Sequence, residues 1–284
     1  MSPQAKANSR ATAAGTIPVT ILGASGRMGC TLLRCLPEFP ALALSGAGTA
    51  PGSGLDGRDA GEVAGLARLG VPLVESVAAA LDGARVAVDF TLADAVPETA
   101  AACTAAGVAL VCGVTGLDAR AQQALRTAAA TVPVLWAPNM SAGVAVLERL
   151  AALAAAALAE FDAGVYEVHH GAKRDAPSGT ALALGRSVAG ARGFDFAGAV
   201  PDGQFRAPAL GYGVLRVGDV VGEHTVVLAG PGERLELVHR ATDRAIFARG
   251  ALRAATWLAT RAPGFYTLGE VLGLARLDTL SRGT

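Results

Sequence analysis

Between Ile17 and Trp136 the chain alternates between two textures, and this alternation limits the fold more than any other feature. Short apolar runs stand at 17–22, 41–46, 71–74, 86–91, 108–112 and 132–136, each suited to a buried parallel strand. Between them, 27–36, 77–81, 95–106 and 118–130 read as helices. Parallel neighbours cannot be joined by a hairpin, so each strand needs a crossover, usually a helix. Alternation over about 120 residues therefore calls for an α/β fold with a mostly parallel, doubly wound sheet. Ligands of such sheets bind outside the carboxyl ends of the strands. Here those ends are the turns 23–29, 89–91, 113–116 and 137–140.

The first turn is the most informative. Gly23-Ala24-Ser25-Gly26-Arg27-Met28-Gly29 lies between strand and helix, a Gly-x-x-Gly-x-x-Gly variant of the dinucleotide-binding turn. Its glycines let the backbone approach a pyrophosphate seated on the helix start. At the end of the second strand such folds carry an acid for the adenine ribose, or an Arg for a 2′-phosphate. Ala47-Gly48-Thr49-Ala50-Pro51 offers neither, and Thr49 gives one hydroxyl. Arg27, or Arg58 in the Gly-rich polar loop 51–70, could reach the phosphate instead.

Beyond Ser141 the pattern changes. A long Ala/Leu helix at 144–161 has apolar residues so continuous that it must be buried or interfacial. Loop-rich sequence at 191–210 precedes strand-like runs at 211–217, 224–228 and 234–239. Strands grouped after helices indicate a second, α+β domain. Residues 245–260 read as a helix with Trp257 on its apolar stripe, and 264–274 as one more short helix.

Within this second domain, Tyr166 to Ala181 concentrates two of the chain's four histidines, a lysine and a Pro-Ser-Gly-Thr turn. Val165, Glu167 and His169 alternate with Tyr166, Val168 and His170, a period of two that reads as a strand whose two imidazoles leave opposite faces. An Ala/Leu helix follows at 181–188, capped by Ser178 or Asp175. The N–H groups of Gly179 and Thr180 at its start suit an anion. With His169, His170 and Lys173 beside them, the pocket fits a carboxylated substrate that needs a proton transferred.

Lys plus Arg equals Asp plus Glu at 24 each, so charge draws the chain to neither nucleic acid nor an anionic membrane. The longest apolar runs fall far short of the ~20 residues of a membrane span. Residues 1–16 lack the apolar core of a secretory signal and read as a flexible leader. Cys30, Cys35, Cys103 and Cys112 show no metal-type pairing and read as buried thiols of a cytoplasmic protein. No His/Cys/carboxylate spacing suggests a metal.

Taken in order, the glycine turn, Asp89-Phe90-Thr91, Gly113-Val114-Thr115-Gly116, Ala137-Pro138-Asn139-Met140-Ser141, the His-His-x-x-Lys-x-Asp-Ala-Pro-Ser-Gly-Thr-Ala stretch and Gly218 to Thr225 resemble the 4-hydroxy-tetrahydrodipicolinate reductase (dihydrodipicolinate reductase) family. The resemblance spans about residue 17 to residue 277. It implies a Rossmann-like cofactor domain from 17–140 and 246–284, and a substrate-binding and oligomerisation domain from 141–245 that packs into a homotetramer. By position, Gly23, Ala24, Ser25, Gly26, Arg27, Met28, Thr49, Gly113, Val114, Thr115, Ala137, Pro138, Asn139 and Met140 would hold NADPH or NADH. His170, Lys173, Gly179 and Thr180 would hold the carboxylates of a small dicarboxylate substrate, with His169 and Lys173 catalytic. The implied reaction is an NAD(P)H-dependent reduction, with loss of water, in the diaminopimelate pathway of lysine biosynthesis.

Two other readings compete. A semialdehyde dehydrogenase would need a nucleophilic cysteine, but Cys112 closes a buried apolar strand. A nucleotide-sensing regulator without turnover would keep the glycine turn and have no use for the His/Lys site, yet both are present.

Overall fold

A computed structural model of the chain describes residues 15–196, 198–200 and 210–275. Most of the expected leader, residues 1–14, lies outside the described residues, as do 201–209 of the loop-rich segment and the last residues, 276–284. The chain divides into two units, Met1–Pro138 with Ala251–Thr267, and Asn139–Gly250 with Leu268–Thr284.

In the first unit β1 (Ile17–Leu22), β2 (Leu42–Gly48), β3 (Leu73–Val74), β4 (Val86–Asp89), β5 (Ala109–Cys112) and β6 (Pro133–Trp136) alternate with α1 (Arg27–Cys35), α2 (Ala60–Val63), α3 (Val77–Ala80), α4 (Val96–Ala106) and α5 (Ala119–Ala128). With an edge strand β12 (Gly264–Tyr266), the strand order is β12-β6-β5-β4-β1-β2-β3, every neighbour parallel. That is the doubly wound order of dinucleotide-binding sheets, with its reversal between β1 and β4. Leu22, Ala87, Leu110, Cys112 and Val134 of the strands pack with Val96, Ala100 and Cys103 of α4 and Leu125 of α5 in one buried cluster.

The extra strand, β12 (Gly264–Tyr266), corrects the sequence reading of 264–274 as a helix. Gly264 to Tyr266 pair in parallel with Pro133 to Leu135 at the sheet edge, and only Leu268–Val271 (α9) is helical. Three residues are too few to show a period, so the free edge of β6 decides their conformation. The loop 51–70 also holds more structure than its glycines suggested: Asp59 caps α2, accepting from Gly61 and Glu62 N–H.

The second unit starts from α6 (Ala142–Ala157), whose cap is Ser141. Its sheet runs β11-β10-β7-β9-β8, with β7 (Asp162–His169), β8 (Ala199–Val200), β9 (Leu210–Arg216), β10 (Gly222–Gly230) and β11 (Glu233–Ala241). The pairing is mixed: β11/β10 and β10/β7 are antiparallel, β7/β9 and β8/β9 parallel. Leu147, Ala151 and Ala155 of α6, and Ala181, Leu184 and Val188 of α7 (Gly179–Ala191), bury one face of this sheet. α8 (Ala245–Leu258) runs from the second unit into the first.

Register places the chemistry. Val226, Val165 and Tyr212 lie side by side across β10, β7 and β9, facing the helices inside the buried cluster. Because side chains alternate, the next row on that face is His224, Glu167 and Val214. One step further, His169 pairs with Arg216. The polar residues are thus the continuation of the apolar core to the end of the strands.

Candidate active site

The turn after β1 is shaped by two glycines. Gly23 has φ +76°, and a side chain there would meet the Phe90 carbonyl oxygen at 2.9 Å. A side chain on Gly29 would run into the backbone of Gly23 and Ala24, so the helix can press on the turn only without one. Gly26 is the N-cap position of α1 and gives it no side-chain cap, whereas Asp118, Ser141 and Ser178 cap α5, α6 and α7. The first N–H groups of an α-helix have no partner within it. Left uncapped beside a glycine turn, they fit a cofactor pyrophosphate.

The neighbouring strand ends close the same edge. The Thr91 N–H donates to Asp89 Oδ1 at 2.8 Å, and burial pushes the Asp89 carboxyl up to about 6 against the bonds from Thr91. Gly113 lies directly under the Phe90 ring. Trp136 Nε1 donates to the Val114 carbonyl at 3.0 Å, and the Ala137 N–H to the Cys112 carbonyl at 3.1 Å. Gly23 to Met28, Gly113 to Thr115, Ala137 and Pro138 therefore gather at one edge of the first unit. Thr49 is buried, its hydroxyl 2.8 Å from Ser25 Oγ and 3.2 Å from Ser53 Oγ. Asn139 and Met140 fall in the second unit. There Asn139 Nδ2 donates to Thr180 Oγ1 at 2.9 Å, and Met140 is buried against Gly250.

The second unit assembles a polar cluster around one carboxylate. Glu167 Oε1 accepts from the Ser178 N–H at 3.0 Å and from Arg216 Nη2 at 2.8 Å. Oε2 lies 3.5 Å from His169 Nδ1 and 3.6 Å from His224 Nε2. Ser178 Oγ caps α7 through the Ala181 N–H and stands 3.2 Å from His224 Nε2. Of the two caps the sequence allowed, Ser178 is the one used. The rings of His169 and His224 meet edge to face at 5.0 Å, and His169 Nε2 lies against Gly222, where a Cβ would come within 3.0 Å.

Burial alone would raise the Glu167 carboxyl, but hydrogen bonds from His224, Ser178 and Arg216 outweigh it and hold the group at about 2. Burial depresses the His169 imidazole to about 4, with Glu167 opposing only in part. At neutral pH the cluster is thus a carboxylate facing a neutral imidazole and a guanidinium.

Lys173 stands at the rim. Its Nζ reaches Asp175 Oδ1 at 2.8 Å and Oδ2 at 2.9 Å, and that hydrogen bond pulls the Asp175 carboxyl down. Arg216 Nη2 also donates to the Asp175 carbonyl at 2.6 Å, tying the lysine turn to the buried cluster. His170 is half-buried, and its carbonyl accepts the Lys173 N–H at 3.1 Å. Gly179 is exposed and Thr180 half-buried at the start of α7, which has no acid in its first turn. A cation rim, a helix start and a neutral imidazole together suit a substrate with two carboxylates that must gain a proton.

Glu167, Arg216 and His224 were not among the residues singled out from sequence. Glu167, His169 and His224 do bring possible ligand atoms within 4.8 Å of one another. The guanidinium on the same carboxylate makes that trio a poor place for a cation. Cys112 is fully buried, and burial, then Asp89, drive its thiol far above the ordinary range, which leaves no activated nucleophile there. Three of the four cysteines are buried as expected, Cys30 only half so. No helix of the described residues is long and apolar enough to cross a membrane.

Two family models cover most of the chain. Residues 17–140 match "Dihydrodipicolinate reductase, N-terminus" and residues 143–272 match "Dihydrodipicolinate reductase, C-terminus". A 4-hydroxy-tetrahydrodipicolinate reductase of Anaeromyxobacter dehalogenans is 49% identical over 263 residues, covering 90% of this chain and 97% of its own length. One from Alkalilimnicola ehrlichii is 46% identical over 266 residues, covering 91% and 100%. Among solved structures, dipicolinate-bound dihydrodipicolinate reductase from Paenisporosarcina sp. TG-14 superposes with a TM-score of 0.73 at 22% identity, over 89% of this chain and 97% of that one.

Proposed function

The chain belongs to the dihydrodipicolinate reductase family, and we propose that it divides its work between a nicotinamide cofactor held by the first unit and a doubly charged substrate held by the second. It is an NAD(P)H-dependent oxidoreductase that reduces 4-hydroxy-tetrahydrodipicolinate to tetrahydrodipicolinate, with loss of water, on the diaminopimelate route to lysine. The division of labour rests on one observation above the others: Glu167, His169 and Arg216 occupy adjacent rows of one sheet face, beside the start of α7 and the Lys173 rim.

When bound, the nicotinamide supplies the hydride. The chain's own residues do the rest. Gly23, Ala24, Ser25, Gly26, Arg27 and Met28 cradle the pyrophosphate, while Thr49, Gly113, Val114, Thr115, Ala137 and Pro138 border the cofactor. His170, Lys173 and the N–H groups of Gly179 and Thr180 take the carboxylates, the last two with the positive end of the helix behind them. Addition of hydride leaves an electron-rich nitrogen-containing ring system that must be protonated. Lys173 can deliver that proton or stabilise the charge as it grows. His169 starts neutral, its pKa near 4, so it protonates only once the dianion has raised its affinity for a proton; it then serves as a relay.

The test uses purified protein with aspartate semialdehyde, pyruvate and the partner synthase, with NADH or NADPH. Loss of nicotinamide absorbance is expected only with every component present. Both cofactors should work, with kcat/KM differing by less than roughly 100-fold, about 2.7 kcal/mol at 1.36 per tenfold. Specificity generally needs an attractive or a repulsive element, and 47–51 carries no charge. No turnover with either cofactor would sink the reading; a preference beyond a thousandfold would sink the cofactor part.

Copies of the chain assemble into a homotetramer through the sheet of the second unit. Tyr166, Leu215 and Val238 are 44%, 46% and 42% exposed. By register they lie on the face that α6 and α7 leave uncovered, with Thr225 between Tyr166 and Val238. Exposed apolar residues on a face that also carries the Arg240–Glu223 and Arg234–Glu236 ion pairs make a surface that a second copy fits. Val238→Lys together with Leu215→Lys should convert the tetramer to smaller species in sedimentation velocity. A parent protein that sediments as a monomer would overturn the assembly. The enzyme's place is the cytoplasm.

A further inference from the structure

We propose that Glu75 reads the adenine ribose of the cofactor: the acid usually found at the end of β2 has moved one strand over, to the end of β3. The inference rests on the first unit being a nicotinamide-binding domain. β2 and β3 are parallel, with Gly48 opposite Val74, and the Thr49 N–H donates to the Val74 carbonyl at 2.9 Å. Glu75 therefore leaves the sheet beside Thr49, about one strand spacing (~4.8 Å) away. Thr49 itself is committed to Ser25 and Ser53, which ties its hydroxyl down within the turn.

Glu75 is aimed back over this position. Its Oε1 accepts the Gly52 N–H at 2.9 Å, so the side chain lies against the loop that follows β2, and its own N–H donates to Asp56 Oδ1 at 3.2 Å. One carboxylate oxygen anchors the loop. The other can accept from the ribose hydroxyls, and the charge repels a 2′-phosphate. Asp56 adds a second negative charge to the same loop. Arg27, exposed at the first position of α1, is the opposing attraction. Arg58 follows in the same loop, its carbonyl accepting the Leu73 N–H. Glu75, whose carboxylate lies against the residues that follow Thr49, tilts the site toward NADH, within the modest range set by an uncharged 47–51.

Direct titration tests this without turnover. Kd values for NADH and for NADPH are measured by nicotinamide fluorescence on the intact parent protein and on Glu75→Gln. An amide keeps an acceptor for the Gly52 N–H, so the loop should hold; Glu75→Asp, which keeps the charge and shortens the reach, is the second variant. The parent should bind NADH three- to thirtyfold more tightly than NADPH. Glu75→Gln should bring the two Kd values together by at least fivefold, while Glu75→Asp keeps the preference for NADH. A ratio unchanged in Glu75→Gln, or a parent that prefers NADPH, overturns the role of Glu75 and leaves the cofactor domain intact. Binding of neither cofactor by the parent would instead overturn the reading on which the inference rests.

Discussion

Replacing Lys173 with alanine should lower kcat by roughly 10²–10⁴-fold, the range for a positioned acid or an electrostatic partner of developing charge. Binding of NADH and NADPH should be unchanged. The expectation follows from where the charge sits. His169 is buried with its pKa near 4, so the resting site holds no imidazolium ready to meet the charge that hydride addition creates. The guanidinium of Arg216 is committed to Glu167 and to the Asp175 carbonyl. Lys173 remains, an ammonium with 21% of its side chain exposed, paired among the described residues with the exposed carboxylate of Asp175. A pair of that kind is worth little in water, so a substrate carboxylate can take the place of Asp175. Pre-steady-state and steady-state kinetics with both reduced cofactors, beside cofactor titrations, would measure the effect. Turnover within threefold of the parent would remove the lysine from the mechanism.

The alternation of strands and helices made the first unit legible because the central strands β4 and β5 are buried on both faces and α1, α4 and α5 are long enough to show a period. β12 escaped that logic. Its three residues take their conformation from the edge of β6, a tertiary effect with no local signature. The site divides in the same way. His169, Lys173, Ser178 and the start of α7 all lie between His169 and Thr180 and stand out as a cluster. Arg216 and His224 come from β9 and β10, and only register brings them to Glu167. Glu167 itself left a signal. Period-two alternation put it on the face of Val165 and His169, and an acid on the buried face of a strand calls for partners. Glu75 left none, since nothing local says that a residue after a two-residue strand will lie beside Thr49.

Removing that buried acid should have the largest effect on stability. The Glu167 side chain is fully buried and accepts from Arg216 and the Ser178 N–H. Taking one partner from a buried ion pair leaves the other uncompensated, at a cost of about 3–5 kcal/mol. Glu167→Ala should therefore melt on the order of 10 °C below the parent at pH 7. Glu167→Gln, which keeps an acceptor for the Ser178 N–H, should lose less. The pH dependence separates charge from packing. Glu167 is held at about 2, below its ordinary 4.5, so its charge contributes fully above pH 4.5 and fades as pH falls toward 2. His169, held at about 4 against an ordinary 6.5, makes the parent lose stability as pH falls from 6.5 to 4, because the unfolded chain takes up the proton first. The gap between parent and Glu167→Gln should accordingly stay constant from pH 8 to about 5 and narrow by pH 3. Melting curves at pH 7, 5 and 3 would show it. A gap as wide at pH 3 as at pH 7 would mean that the amide differs from the acid only in how it packs, and that the charge on Glu167 does not hold Arg216 and the two histidines in place.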